Sequence, residues 1–214
     1  MAMEKRGLLI TLEGVEGAGK STAIEGMKSY LEVKGIPVVL TREPGGTEIA
    51  EHIRKVLLAD YQEKMIPEAE ALLMFASRIQ HVNNKIKPAL EAGHWVISDR
   101  FVDASYAYQG GARGLGFERI KQLKQWVLGD FEPDVTFLFD IPLSLSRERI
   151  QHRPHKDRIE QEEDSFFMHV REMYLHLAEL YPQRYRVIDA KQPKPVVKQN
   201  IEQYLQASIR EWQA

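Results

Sequence analysis

The stretch Gly14-Val15-Glu16-Gly17-Ala18-Gly19-Lys20-Ser21 fits the pattern G-x-x-x-x-G-K-[ST]. Its residue types suit one chemistry, the holding of a polyphosphate. Glycines let backbone N–H groups turn inward around phosphate oxygens, and a helix behind the loop offers its positive end. Lys20 can reach the β- and γ-phosphates, and the Ser21 hydroxyl can ligate Mg2+. An apolar run, Leu8 to Leu12, precedes the loop and a helix-like stretch, Thr22 to Val33, follows it. That is the setting such a loop requires, so a bound nucleoside triphosphate is expected. Where its phosphate goes is not written in the loop.

Four further segments follow strand-like runs. They are Thr41-Arg42-Glu43-Pro44-Gly45-Gly46-Thr47, Asp99-Arg100-Phe101, Ser105 to Gly114, and the basic stretch Arg147 to Arg158 with Ile159-Glu160-Gln161 behind it. Taken alone, Arg42 reads equally as a solvated residue or a ligand contact, and Asp99-Arg100 as a structural ion pair. Arg147 and Arg149 read as a charged helix face with i,i+4 partners. His152 and His155, beside Pro154, read as solvated loop residues. As a set, the arginines suit transfer between two phosphates. Such a reaction is mainly a problem of charge, solved by positioning and cationic stabilisation. An acceptor phosphate is already mostly ionised near neutrality, so no strong general base is needed.

In this order behind the phosphate loop, Thr-Arg-Glu-Pro-Gly-Gly, Asp-Arg-Phe, Ala-Tyr-Gln-Gly and Asp-Arg-Ile-Glu-Gln resemble the bacterial thymidylate kinase pattern over nearly the whole chain. The resemblance implies Mg-ATP-dependent phosphorylation of dTMP to dTDP on the way to dTTP, by a cytoplasmic homodimer. The implied fold is the three-layer P-loop nucleoside-monophosphate kinase fold, a five-stranded parallel sheet flanked by helices. Gly14, Val15, Glu16, Gly17, Ala18, Gly19, Lys20, Ser21 and Arg158 would bind ATP. Lys20, Asp99, Arg100 and Arg153 would serve catalysis, with Ser21 and Asp99 at Mg2+, directly or through water. Arg42 and Arg100 would grip the dTMP phosphate. Glu16 would contact the 3′-hydroxyl, and Tyr108 would lie near the sugar 2′-position. Arg78 would meet an exocyclic oxygen of thymine, while Ser105 and Gln109 read its remaining edge. Many relatives place a stacking Phe four residues before that Arg; this chain has Met74 there and Phe75 one residue later. Phe75 is the expected stacking residue, with Met74 as a sulfur contact the alternative. Some relatives carry Arg where Gly17 stands. Here a lid over about 147–163 would supply it, Arg153 swinging over the transferring phosphate.

These residues need a scaffold. Strand-like runs at Leu8–Glu13, Val38–Thr41, Trp95–Asp99, Val135–Asp140 and Arg186–Asp189 are rich in Val, Ile, Leu and Phe, as buried parallel strands are. Helix candidates lie between them: Glu48–Leu58, a long one over Pro67–Ala92 that Pro88 kinks or breaks, Phe117–Leu128, Leu143–Gln151, Phe166–Tyr181 and Val196–Trp212. In the last, the apolar residues at helical spacing read as core anchors. Alternation of strand and helix predicts a parallel sheet with helices on both faces and ligands beyond the strands' C-terminal ends. With 214 residues and no linker-like tract, one domain over 1–214 is expected.

Composition narrows the partners. A net charge of −2 speaks against extended polynucleotide contact. The chain lacks cysteine, which removes thiol chemistry and fits a reducing compartment. No 18-residue apolar run is present, so no membrane partner is expected. A kinase for a neutral acceptor would need a base near the hydroxyl, and two acceptor-side arginines argue against it. A GTP switch would need Asn-Lys-x-Asp, and Asn84-Lys85-Ile86-Lys87 lacks the Asp.

Overall fold

The structure, a computed structural model, describes residues 5–151 and 157–214. Five strands, β1 (Leu9–Glu13), β2 (Val38–Arg42), β3 (Trp95–Asp99), β4 (Val135–Asp140) and β5 (Tyr185–Asp189), agree with the expected runs to within one residue at either end. They form one parallel sheet in the order β2-β3-β1-β4-β5. Parallel neighbours require crossovers, and helices supply them: α1 (Lys20–Val33), α2 (Glu48–Leu58), α3 (Pro67–His81), α4 (Lys87–Glu91), α5 (Val102–Ser105), α6 (Phe117–Leu128), α7 (Leu143–Ile150), α8 (Asp164–Leu180) and α9 (Lys194–Gln213). β1, central and buried along its length, carries the phosphate loop at its C-terminal end. On α9, Ile201, Leu205 and Ile209 are buried and Trp212 sets its ring edge-on to Trp95. Among the described residues no helix is long and apolar enough to cross a membrane.

Two segments depart from expectation. The long helix ends at His81, passes through a π-helical turn at Val82–Ile86, and resumes as α4. The Lys87 N–H reaches back five residues to the Val82 carbonyl. That wider turn puts Pro88 near the start of a new helix, where a missing N–H costs nothing. The helix therefore changes ahead of its proline. Residues 102–112, read in the sequence as a segment beyond a strand, are helical: α5 runs into a second π-helical turn, Tyr106–Ala112. Such turns re-aim neighbouring side chains and are frequent at functional sites.

A buried ion pair fixes α5 to the sheet. Arg184, just before β5, donates to both Asp103 oxygens at 2.5 and 3.0 Å and to Thr136 Oγ1 at 2.6 Å. Thr136 in turn meets Thr11 at 2.9 Å across β1 and β4. Asp103 is 1% exposed, so removing its partner strands a charge. Arg184→Met is expected to destabilise the protein by about 3 kcal/mol, read as a lower denaturant midpoint at unchanged slope. A loss below about 1 kcal/mol would contradict this account.

Candidate active site

The phosphate loop leaves β1 at Glu13 and enters α1 through Gly19, whose φ is 99°. No side chain caps α1, so its first N–H groups are free for an anion. α7 props the loop from behind. Ser146 Oγ donates to the Glu16 carbonyl at 2.7 Å, and Arg149 donates to the carbonyls of Gly17 at 3.2 Å and Ala190 at 3.1 Å. The fit is close at Gly17 (φ 74°), where an added Cβ would stand 2.8 Å from the Ser146 carbonyl and 3.0 Å from Ile150. Lys20 Nζ donates to the Gly14 and Val15 carbonyls at 2.9 and 3.0 Å. Burial, with Arg100 beside it, pulls the Lys20 ammonium down to about 8.

Register delivers the opposing residues. Leu12 pairs with Asp99, and Asp99 with Arg42, so the ends of β1, β3 and β2 lie level. Arg42 reaches Glu51 at 2.9 Å, and Arg54 donates to the Pro44 carbonyl at 2.8 Å. Burial and the charge of Arg42 both push the Arg54 pKa down, against the opposing pull of Glu51 and Asp157. Asp99 Oδ1 is buried and finds no hydrogen-bond partner among the described residues.

Arg100 follows with φ 69°, a left-handed backbone. Its guanidinium pairs with the Glu16 carboxylate, donates to the Gly14 carbonyl at 3.0 Å and the Tyr174 hydroxyl at 3.2 Å, and lies 4.9 Å from the Tyr108 ring centroid. Burial opposes the Glu16 charge, but Arg100 and Lys20 outweigh it and hold that carboxyl below its ordinary value. The Tyr108 hydroxyl donates to Glu16 at 3.2 Å, while burial raises its own pKa far above the usual range. Beneath this layer Glu13 accepts from the Phe101 N–H at 2.7 Å and from Tyr174 Oη at 2.6 Å. Burial and nearby Asp103 push Glu13 up to about 8.

Further from the loop, α3 and the second π-helical turn build an inner wall. Arg78 is fully buried: Nε donates to Glu43 at 2.6 Å, and the Nη groups to Ser105 Oγ at 3.0 Å and the Phe101 carbonyl at 3.1 Å. His81 Nδ1 donates to the same Glu43 at 3.0 Å, and its Nε2 shares a hydrogen bond with the Thr41 hydroxyl at 2.6 Å. A cavity of about 1010 Å³ runs between the loop and this wall. It is lined by Glu16 through Ser21, by Arg42, Arg54, Asp99, Arg100 and Arg149, and by Met74, Tyr108 and Gln109. One chamber thus holds a phosphate loop and a facing group of arginines.

A family model described as thymidylate kinase matches residues 12–201. The chain belongs to the thymidylate kinase family. It is 54% identical over 203 residues to the thymidylate kinase of Vesicomyosocius okutanii subsp. Calyptogena okutanii, covering 95% of this chain and 99% of that one. It is 50% identical over 202 residues to that of Ruthia magnifica subsp. Calyptogena magnifica, covering 94% and 98%. It is 50% identical over 208 residues to that of Alkalilimnicola ehrlichii, covering 97% and 96%.

Several residues stand elsewhere than the family resemblance implied. Phe75 does not line the cavity. It is 1% exposed, packed in the core with the Arg78 guanidinium 4.7 Å from its ring centroid. One position is about 100° of helix, and that rotation gives the cavity Met74 instead. Arg78 and Ser105 bond each other behind the wall rather than at its surface. Gly14 and Val15 lie under the loop and offer carbonyls to Lys20. Arg158 turns from the triphosphate side toward the Leu57 carbonyl, at 3.1 Å, and Glu70, at 2.7 Å; that buried carboxylate attracts it more than open solvent does. Arg153 lies outside the described residues. Arg149, though exposed, does more than sit on a charged helix face: it braces the loop and lines the cavity. Ser146, one turn before it on α7, was the available signal. Arg54 was passed over as well, one turn after Glu51 on α2. The two wall residues separate experimentally. Phe75→Ala should cost about 3–5 kcal/mol of stability. Met74→Ala should leave stability nearer wild type and raise the KM for dTMP about three- to tenfold. The opposite pattern in thermal melts and kinetics would return the stacking role to Phe75.

Proposed function

We propose that this chain moves the γ-phosphoryl group of ATP onto dTMP, giving ADP and dTDP. Family membership names the reaction. The structural observation behind it is the shared chamber, with a phosphate loop on one side and Arg42, Arg54 and Arg100 on the other. Two anions must approach each other, and cations on both sides lower the repulsion. ATP phosphates would take the free N–H groups at the start of α1, and Lys20 would exchange its two loop carbonyls for phosphate oxygens. The dTMP phosphate would replace Glu51 on Arg42 and relieve the crowding at Arg54. Arg100 would hold the acceptor while Glu16, fixed by it, accepts from the 3′-hydroxyl. Tyr108 would close the sugar's 2′ face, and Met74 would pack on thymine. Arg149 would flank the triphosphate from α7, and Arg153, in the lid, would cover the transferred group.

Mg2+ fits this residue set. Ser21 lines the chamber, and Asp99 has a buried oxygen without a partner among the described residues. The two suit a hard cation that takes few protein ligands and several phosphate oxygens; bound there, it would neutralise phosphate charge. The decisive experiment gives the purified full chain Mg-ATP and each nucleoside monophosphate, scored as ADP release. dTMP should dominate, and equal turnover of AMP or CMP would overturn the assignment. A homodimer belongs to the same reading. Ile49 and Val56 on α2 and Leu72 on α3 remain exposed on two helices that pack together, an apolar face that a second copy would cover. Sedimentation should give twice the chain mass; a monomer at micromolar concentration would refute it.

A further inference from the structure

Gln109 sits fully buried in the chamber wall, and its two amide atoms are in unequal circumstances. Nε2 donates to Glu70 Oε1 at 2.8 Å. Oε1 finds no partner among the described residues. Glu70, on α3, is 1% exposed and held from its far side. Arg158 donates to its Oε2 at 2.7 Å, and Arg113 reaches Oε2 at 3.2 Å and Oε1 at 3.3 Å. Burial opposes the Glu70 charge, yet Arg113, Gln109 and Arg158 together keep its pKa below the ordinary carboxylate value. An ionised carboxylate only accepts hydrogen bonds. It therefore admits the Gln109 amide in one orientation, nitrogen toward Glu70 and oxygen on the side away from that carboxylate.

Resting on the reading that dTMP is the acceptor, we propose that Glu70 is a positioning residue that sets base specificity: it fixes Gln109 Oε1 as the acceptor for the N3–H of thymine. Thymine's O2 and O4 are both acceptors, so N3–H is the one donor its polar edge can offer to an unpaired amide oxygen. A ring without that hydrogen would leave the oxygen buried and unpaired, and would bind about tenfold or more weakly. Arg158 falls within the stretch expected as a lid, and Glu162, further along it, pairs with Arg113. The carboxylate that orients the base reader therefore also fastens the lid's C-terminal part to the acceptor wall.

Glu70→Gln tests this because it keeps the shape and one oxygen. The two arginines hold that oxygen, so the new amide nitrogen faces Gln109. The Gln109 oxygen must then turn inward, and a donor faces the chamber. Steady-state kinetics would compare wild type and E70Q, with Mg-ATP, on dTMP and on 5-methyl-dCMP, the analogue whose N3 carries a lone pair in place of N–H. Wild type should show a KM for dTMP at least about tenfold below that for the analogue. In E70Q the dTMP value should rise by about that factor while the analogue's falls, so the preference collapses. Equal shifts for both compounds would overturn the proposal, because a merely structural carboxylate would not tell them apart. Should E70Q fail to fold by circular dichroism, calorimetry on the wild type decides: tenfold weaker binding of the analogue supports the fixed acceptor, and equal binding refutes it. A wild-type protein that ignores dTMP but phosphorylates another monophosphate would sink the acceptor reading itself. Turnover of dTMP with an unchanged preference in E70Q would sink the role of Glu70 alone.

Discussion

Everything at the centre of this molecule depends on the ion pair between Arg100 and Glu16. It joins the end of β3 to the interior of the phosphate loop, the two halves that must meet for phosphoryl transfer. Arg100 is the only non-glycine among the described residues with a positive φ, a conformation that costs on the order of 1–2 kcal/mol. Its guanidinium is satisfied by Glu16, the Gly14 carbonyl and the Tyr174 hydroxyl, with the Tyr108 ring beneath. Those bonds hold the strained backbone in place. The pair also explains how Lys20, Arg42, Arg54 and Arg100 share one chamber in the absence of phosphate. Glu16, Glu51 and Asp99 supply partial neutralisation that substrates would complete.

Support under this layer comes in two tiers. Glu13 grips Tyr174 and the Phe101 backbone, which places the Arg100 side chain from below. Asp103 and Arg184 then pin α5 to the sheet through Thr136. Each tier pairs a buried acid with a donor from a distant part of the chain, so the site is rigid where its charges are densest.

The sheet was legible because buried parallel strands leave continuous apolar runs, and the phosphate loop because its backbone geometry demands fixed glycines. Arg42 and Asp99-Arg100 were legible by position, directly after such runs. Other features had no local signal. The two π-helical turns use residues that suit an α-helix equally well, so the break ahead of Pro88 and the joint presentation of Tyr108 and Gln109 followed only from packing. The exchange of Phe75 for Met74 turns on about 100° of helical phase, too fine for a spacing rule. Arg158 sits in a run of basic residues, and nothing in that run announces which arginine meets a buried acid. Glu70 reads as an ordinary acidic residue in a first helical turn, since its partners stand 39 to 88 positions away.

The crowded seat of Gly17 bears on how such enzymes can diverge. A side chain at this point of the loop would have to stand between the loop and α7. Here α7 occupies that volume: even a methyl group would press on the Ser146 carbonyl and Ile150, and the backbone stands in a conformation that favours glycine. No larger residue can therefore replace Gly17 while α7 keeps its place. The helix would have to retreat first, giving up the Ser146 and Arg149 bonds to the loop.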